Sequence, residues 1–239
     1  VGDKTLERAL LKNNKMIFPK NRVQDIRDIF VDEYKNQNFV KDKSQCNLIE
    51  IIAAQFIADE DFIFGKPNED YIKRELAWYG SMSLNVNDLE NTPKIWKHVA
   101  DTNGLINSNY GYLIWSDENY QQYDHCLQEL KEHPDSRRAV MIYNRPSMWL
   151  DYNKNGRSDF VCTFATQYFI RDNKLITNVL MRSNDAVFGY KNDKSWQDHV
   201  SIELAKDLNI ENGVMIWNPV NLHIYESQFK LIDEYLKTI

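Results

Sequence analysis

Residues 160–183 read FVCTFATQYFIRDNKLITNVLMRS, two apolar runs rich in β-branched and aromatic residues around the polar tetrapeptide Arg171-Asp172-Asn173-Lys174. This pattern predicts two long strands and a hairpin-like turn, which commits the chain to a sheet. AVMIYNRP and GVMIWN read as further strands, and LIEIIAAQFIADEDFIFG, a continuous apolar run, as one buried strand. Helical spacing covers 5–12 and 22–36, where Val23, Ile26, Ile29, Phe30 and Tyr34 recur at intervals of three and four. It returns over 69–80, with acidic residues at the start and Gly80 as the stop. Ser116 begins a helix that Pro134 ends, SWQDHVSIELAKDL is a long helix, YESQFKLIDEYLK closes the chain, and KNQNFVKDKSQCN is a loop. Strands and helices alternate without a strict βαβ repeat, so the expected fold is α+β on one sheet. No repeat, low-complexity tract or linker divides it, and residues 1–239 are expected to form one domain.

Composition removes several function classes. The content, 43% hydrophobic and 13% aromatic with eight glycines and six prolines, suits a globular core. No apolar run reaches the roughly 18 residues of a membrane span, and VGDKTLERALLKNN lacks the apolar centre of a signal peptide, so a cytoplasmic protein is expected. The net charge of −6 disfavours nonspecific binding to nucleic acid, so any phosphate must be held by a few placed arginines. Cys46, Cys126 and Cys162 are odd in number and unpaired in spacing, which argues against a disulfide framework or a zinc cluster. DYNKNG at 151–156 imitates the opening of a calcium loop, but the twelfth position is Cys162 where a bidentate glutamate is needed, and the flanks read as strand. No metal is expected.

Four features bear chemistry. Cys162 lies near the start of a strand, facing either the core or a pocket. DSRR places Arg137 and Arg138 just before a strand, where successive side chains point to opposite faces and a guanidinium can fork onto a phosphate. Arg182 and Ser183 end another strand with a cation and a hydroxyl side by side. HIY sets His223 and Tyr225 on one face of an extended segment, two donors able to share one hydroxyl. A soft nucleophile, three arginines and several aromatics together suggest a phosphorylated aromatic ligand attacked by sulfur.

The order Glu75 in RELAW, Trp96 in KIW, Tyr110-Gly111 in NSNYG, DSRR, Cys162, MRSND, Gly189 and HIY closely resembles the thymidylate synthase superfamily from about residue 44 to 235. Twenty residues separate Cys162 from Arg182 and eleven separate Arg182 from Asp193, which resembles the family's spacing of nucleophile, phosphate-binding arginine and base-reading residue. The resemblance implies a large mixed β-sheet covered by helices, with a sheet face forming a homodimer interface and active sites shared across it. Cys162 would add to C6 of a pyrimidine nucleotide, with nearby arginines favouring the thiolate. Arg182 and Ser183 would hold the 5′-phosphate, joined by Arg137 and Arg138 of the other subunit and by Lys43. His223 and Tyr225 would contact the sugar 3′-hydroxyl, and Asp185 would belong to the ligand-facing loop. Glu75 would organise water and proton transfers near C5, while Trp96, Tyr110 and Gly189 would line the side of the co-substrate, 5,10-methylenetetrahydrofolate.

Synthases of this superfamily carry asparagine at the position of Asp193. A carboxamide complements the N3–H and O4 of uracil, whereas a carboxyl group can accept from the amino group of cytosine and share a proton with its N3. The phrases SRRAVMIYNRPSM, DYNKNGRSDFVCT and MRSNDAVFG resemble the branch acting on cytidylates, the phage deoxycytidylate hydroxymethylases, as does Thr163, where synthases carry histidine. The resemblance therefore implies hydroxymethyl transfer to dCMP. A dCMP or CMP methylase, a CMP hydroxymethylase, a dUMP synthase and a silent nucleotide-binding dimer remain alternatives. The bland reading of Asp193 is a cap on a helix starting near Ser195.

Overall fold

The computed structural model describes residues 16–239, so the helix expected over 5–12 lies outside the described residues. In chain order the strands are β1 (Val40–Lys41), β2 (Asn47–Ile52), β3 (Phe56–Ile57), β4 (Val140–Ile142), β5 (Thr163–Arg171), β6 (Lys174–Met181), β7 (Asn184–Asp185), β8 (Glu211–Pro219) and β9 (Asn221–Tyr225). The predicted hairpin is β5–β6. Asp172 and Asn173 both take positive φ, 50° and 58°, the requirement of the two-residue turn that matches strand twist.

The single sheet expected from sequence is corrected to two. Five strands run in the order β3-β8-β6-β5-β4, and four in the order β1-β2-β9-β7. The apolar run after Asn47 is divided accordingly: β2 pairs with β9 in the smaller sheet, the chain turns at Ala53 with φ 55°, and β3 pairs with β8 in the larger. β8 and β9 cross between the sheets at Val220, and the Ala53 amide donates to the Val220 carbonyl at 2.8 Å, tying the two crossing points together.

Helix Glu69–Gly80 forms where sequence placed it, because Asn68 accepts from the Tyr71 amide and Glu69 and Asp70 occupy the positive first turn. Other boundaries moved. The helix expected from Ser116 is a single 3₁₀ turn followed by Gln122–Glu132, since Tyr120 and Gln121 both adopt left-handed conformations between them. The closing helix is likewise a 3₁₀ turn, Glu226–Gln228, and then Lys230–Leu236. The long helix begins at Gly189 instead of Ser195 and runs to Asp207, carrying the parallel crossover from β6 to β8. Asp193 is therefore inside a helix and caps nothing.

This long helix joins two apolar clusters. Trp196, Val200 and Leu204 pack with Tyr79, Tyr110 and Met141 on one side, whereas Tyr190 packs with Phe30, Phe56 and Trp217 on the other. Helix Tyr110–Trp115 lies against helix Glu69–Gly80 so closely that a Cβ on Gly111 would stand 1.9 Å from the Tyr79 carbonyl oxygen. Only glycine permits that approach, and it brings the Tyr110 ring to the seam between the clusters. Part of the outer face of the larger sheet is left uncovered by the described residues: Ile142 and Leu180 flank Ala165 in register and are 55% and 36% exposed. No helix of the described residues is long and apolar enough to cross a membrane.

Candidate active site

Cys162 immediately precedes β5, across from the residue that follows β6, and the Arg182 amide donates to its carbonyl at 2.9 Å. The Arg182 guanidinium donates to the carbonyls of Phe160 (2.7 Å) and Val161 (3.2 Å) and lies 4.9 Å over the Phe160 ring. Its Nη2 is 3.5 Å from the Cys162 Sγ. Burial pushes the thiol up to about 11, Arg182 pulls it down, and Asp193 and Asp159 push it further up. The expectation that arginine favours the thiolate thus holds in direction only; desolvation outweighs it in the free protein.

Arg182 lines a cleft of about 770 Å³ together with Lys43, Arg145, Trp149, Tyr152 and Phe160. Ser183 adjoins it, half-buried. Arg145 was not anticipated; it is fixed by Asp151 at 2.9 Å, so the apparent calcium loop spends its first carboxylate on an ion pair. Arg137 and Arg138 do not reach this cleft. Both are exposed, just ahead of β4 at the edge of the larger sheet.

At the other end of the site Asp193 is half-buried, among partners that are buried. Asp193 receives the Asn184 side-chain amide at Oδ2 (2.8 Å) and the Tyr110 hydroxyl at Oδ1 (3.2 Å). The orientation of Asn184 is determined by its neighbour: the Trp217 indole, which can only donate, meets the Asn184 Oδ1 at 3.1 Å. The Asn184 Nδ2 must therefore face position 193. The Asn184 amide is a fixed donor there, and the Tyr110 hydroxyl is a second donor to an ionised carboxylate, a frame that fits Asp193. Burial, the charge of Glu75 and, more weakly, that of Asp185 push Asp193 up to about 7, against the two hydrogen bonds, so its acid form persists near neutrality.

Tyr110, expected beside the co-substrate, is only 4% exposed and turns its hydroxyl to Asp193. Gly189, expected there too, sits at the same end; a Cβ would come 3.0 Å from the Asn184 Nδ2. The Asp185 Oδ1 accepts from the amides of Val187 (2.6 Å) and Phe188 (3.1 Å) and its Oδ2 from Gln228 (2.8 Å), so it braces the loop that enters the long helix.

Glu75, 5% exposed, receives at Oε1 the Tyr71 hydroxyl and the Trp96 indole (3.2 Å), and burial pushes it up to about 7. Tyr71 lies one helical turn before Glu75, a spacing legible in the sequence but not singled out there. His223 and Tyr225 share a face of β9, their rings 4.8 Å apart. Asn221 donates its amide to Glu50 (2.6 Å), which leaves its Oδ1 for the His223 Nδ1 at 2.9 Å. The proton of neutral His223 therefore belongs on Nδ1, and Nε2 is an acceptor. Burial lowers the imidazole pKa, so the pair is one acceptor and one phenol, not the two donors expected.

The family model described as thymidylate synthase matches residues 67–238. The chain belongs to the thymidylate synthase family. It is 52% identical over 231 residues to the deoxycytidylate 5-hydroxymethyltransferases of Enterobacteria phages T4 and T2, covering 93% of this chain and 94% of each relative. It is 27% identical over 177 residues to a thymidylate synthase of Francisella tularensis subsp. holarctica, covering 69% of this chain and 64% of that protein. Among the residues that this family member uses to surround Asp193, Asn184 and Trp217 escaped the sequence reading. Asn184 stands inside the quoted MRSND, but nothing in a sequence aims a side-chain amide.

Proposed function

We propose that this chain is a single-domain, homodimeric deoxycytidylate 5-hydroxymethyltransferase that takes its one-carbon unit from 5,10-methylenetetrahydrofolate. The observation that carries this reading is the pair of donors converging on Asp193. An acid at this position, with its pKa near neutrality, can share a proton with cytosine N3 and accept from the exocyclic amino group. Only its ionised form would meet the O4 of uracil acceptor to acceptor, a costly buried mismatch, whereas its acid form can donate to O4.

Cys162 gives its thiol proton to water in the cleft and adds as the thiolate to C6 of the base, and the proton that Asp193 gives to N3 neutralises the charge that this addition creates. C5 becomes nucleophilic and takes the methylene. The folate supplies that carbon at the oxidation level of formaldehyde. Half-buried Trp96, its indole held by Tyr71 and Glu75 and its ring edge-on to the buried Trp78, is the aromatic surface here that suits a flat pteridine. After C5 loses its proton and tetrahydrofolate departs, an exocyclic methylene remains. Water adds to that carbon as the C6–S bond breaks, giving the 5-hydroxymethyl group and returning the thiol. Glu75 has its Oε1 held by Tyr71 and Trp96, which leaves Oε2 to orient the water and to accept its proton.

Arg182, Ser183 and Lys43 would hold the 5′-phosphate, and His223 and Tyr225 the 3′-hydroxyl, with Nε2 accepting its proton. Two observations support a shared site. The outer sheet face around Ile142 and Leu180 is apolar and left uncovered by the described residues, and Arg137 and Arg138 stand exposed at its edge, their guanidinium groups without an acceptor among the described residues. Incubation with dCMP and methylenetetrahydrofolate, followed by mass analysis of the nucleotide, tests the reading. A gain of CH2O is expected. A gain of CH2 would make the enzyme a methylase, and faster turnover of dUMP than of dCMP would overturn the argument from Asp193.

A further inference from the structure

Thr163 follows the proposed nucleophile, and its side chain is fully buried at the first residue of β5. Neighbours along an extended chain point to opposite faces, so Thr163 turns away from the half-buried Cys162 thiol and into the core. A bulge between Thr163 and Ala165 marks the start of the β5–β6 ladder. There the Thr163 Oγ1 lies 3.1 Å from the Tyr110 hydroxyl, which lies 3.2 Å from the Asp193 Oδ1. These three groups form a chain that ends on the carboxyl group proposed to read the base.

We infer that Thr163 is a positioning residue for base recognition: by donating to the Tyr110 oxygen it commits the single tyrosine proton to Asp193, and so supports the carboxylate formed when the base takes the proton. The inference rests on the reading of Asp193 given above. Its logic is a count of protons. The Tyr110 hydroxyl has one, and an ionised Asp193 can only accept, so the tyrosine proton must go to Asp193 and the tyrosine oxygen must find another donor. At 4% exposure solvent does not supply one, and Thr163 does. When Asp193 is protonated the chain is free to reverse, with Asp193 donating to Tyr110 and Tyr110 to Thr163. The relay therefore holds more tightly to the anion than to the acid, which is the difference that proton transfer to N3 requires.

The groups that set the charge state of Asp193 come from every side. Glu75 and Tyr79 face it from helix Glu69–Gly80, Tyr110 from helix Tyr110–Trp115, Cys162 from the approach to β5, and Asn184 and Asp185 from β7. Glu75 and Asp185 raise its pKa, and the donations from Tyr110 and Asn184 lower it. Thr163 acts on the Tyr110 component alone.

The test titrates the free enzyme, labelled with carbon-13 at the aspartate carboxyl, with Asp193→Asn used to assign the signal. Thr163→Val removes the hydroxyl at nearly constant volume, Thr163→Ala is the second choice should valine not fold, and Thr163→Ser restores the donor. The expected result is an Asp193 midpoint raised by about half a unit or more in the valine or alanine variant, returned to the wild-type value by serine, and unchanged by Thr163→Val once Tyr110→Phe is present. A wild-type midpoint in both Thr163→Val and Thr163→Ala, or a shift that persists in the Tyr110→Phe background, overturns the relay. Turnover gives the second arm: the ratio of kcat/KM for dCMP to that for dUMP falls roughly tenfold in Thr163→Val and recovers in Thr163→Ser. A shifted midpoint with unchanged selectivity supports the relay and removes base reading from Asp193, so the two readings fail separately.

Discussion

The two ends of the proposed nucleotide site are built on opposite terms. Around Asp193 the partners lie within one chain, buried and already hydrogen-bonded, and Asn184, Tyr110, Thr163 and Trp217 hold each other's orientation. Around Arg182 the side chains line an open cleft, and Lys43, Arg137 and Arg138 are exposed. A base is recognised by the direction of a few protons, which requires donors fixed before it arrives. A phosphate is recognised by charge and reach, which long cations provide without being fixed in advance. One end is complete in a single chain; the other is proposed to be completed by a second copy.

Mutations can break this contrast, and the largest effect lies between the ends. Cys162→Ser is expected to lower turnover on the order of 10⁴-fold or more while dCMP affinity, measured by calorimetry, stays within a few-fold, because neither end is altered. Asp193→Asn comes next. It removes the proton for N3, so kcat/KM for dCMP should fall by roughly 10²–10⁴ while dUMP is spared or improved. Equal losses for both nucleotides would mean that the base end is not selective.

At the phosphate end Arg137→Ala or Arg138→Ala should raise KM by roughly 10–100-fold with a smaller change in kcat. Mixing the Arg137→Ala protein with Cys162→Ser protein, followed by reassociation, should restore activity above either parent, since a mixed dimer holds one site with both elements intact. No restoration would mean that Arg137 does not serve the site of the other subunit.

The smallest effect is on stability. Asp193 has a folded-state pKa of about 7, above its unfolded value, so between the two values the folded state keeps a proton that the unfolded state has lost. Stability is therefore lost as pH rises from about 4 to about 7. Asp193→Asn should flatten this part of the curve by on the order of 2 kcal/mol in denaturant melts at pH 5 and pH 8. A wild-type slope in the variant would show that burial of Asp193 costs nothing.

Much of this architecture was legible beforehand, and the exceptions share a cause. The β5–β6 hairpin and helix Glu69–Gly80 were readable because turn residues, caps and period act over a few neighbours. The run after Asn47 was misread as one strand because apolar content does not say which sheet a residue joins, and the break depends on where β8 and β9 cross. The long helix was started too late, at Ser195. Its first residues, Gly189 to Lys194, carry polar side chains that are held by tertiary partners, such as Lys194 with Asp61 (3.0 Å) and Asp198 (2.5 Å).

The sequence by itself determined the chemical inventory: the thiol of Cys162, the arginines at 137, 138 and 182, and the carboxyl group of Asp193. These are choices of atoms, and a chain written in those residues carries them in any conformation. Tertiary structure alone decided what the atoms present to a ligand. Trp217 turns the Asn184 amide toward Asp193, Thr163 and Tyr110 point a proton at it, Asn221 makes His223 an acceptor, and Gln228 ties up Asp185. Each is a matter of hydrogen-bond direction between residues far apart in the chain. Direction is set by which neighbour is already committed elsewhere, and only the folded packing specifies that.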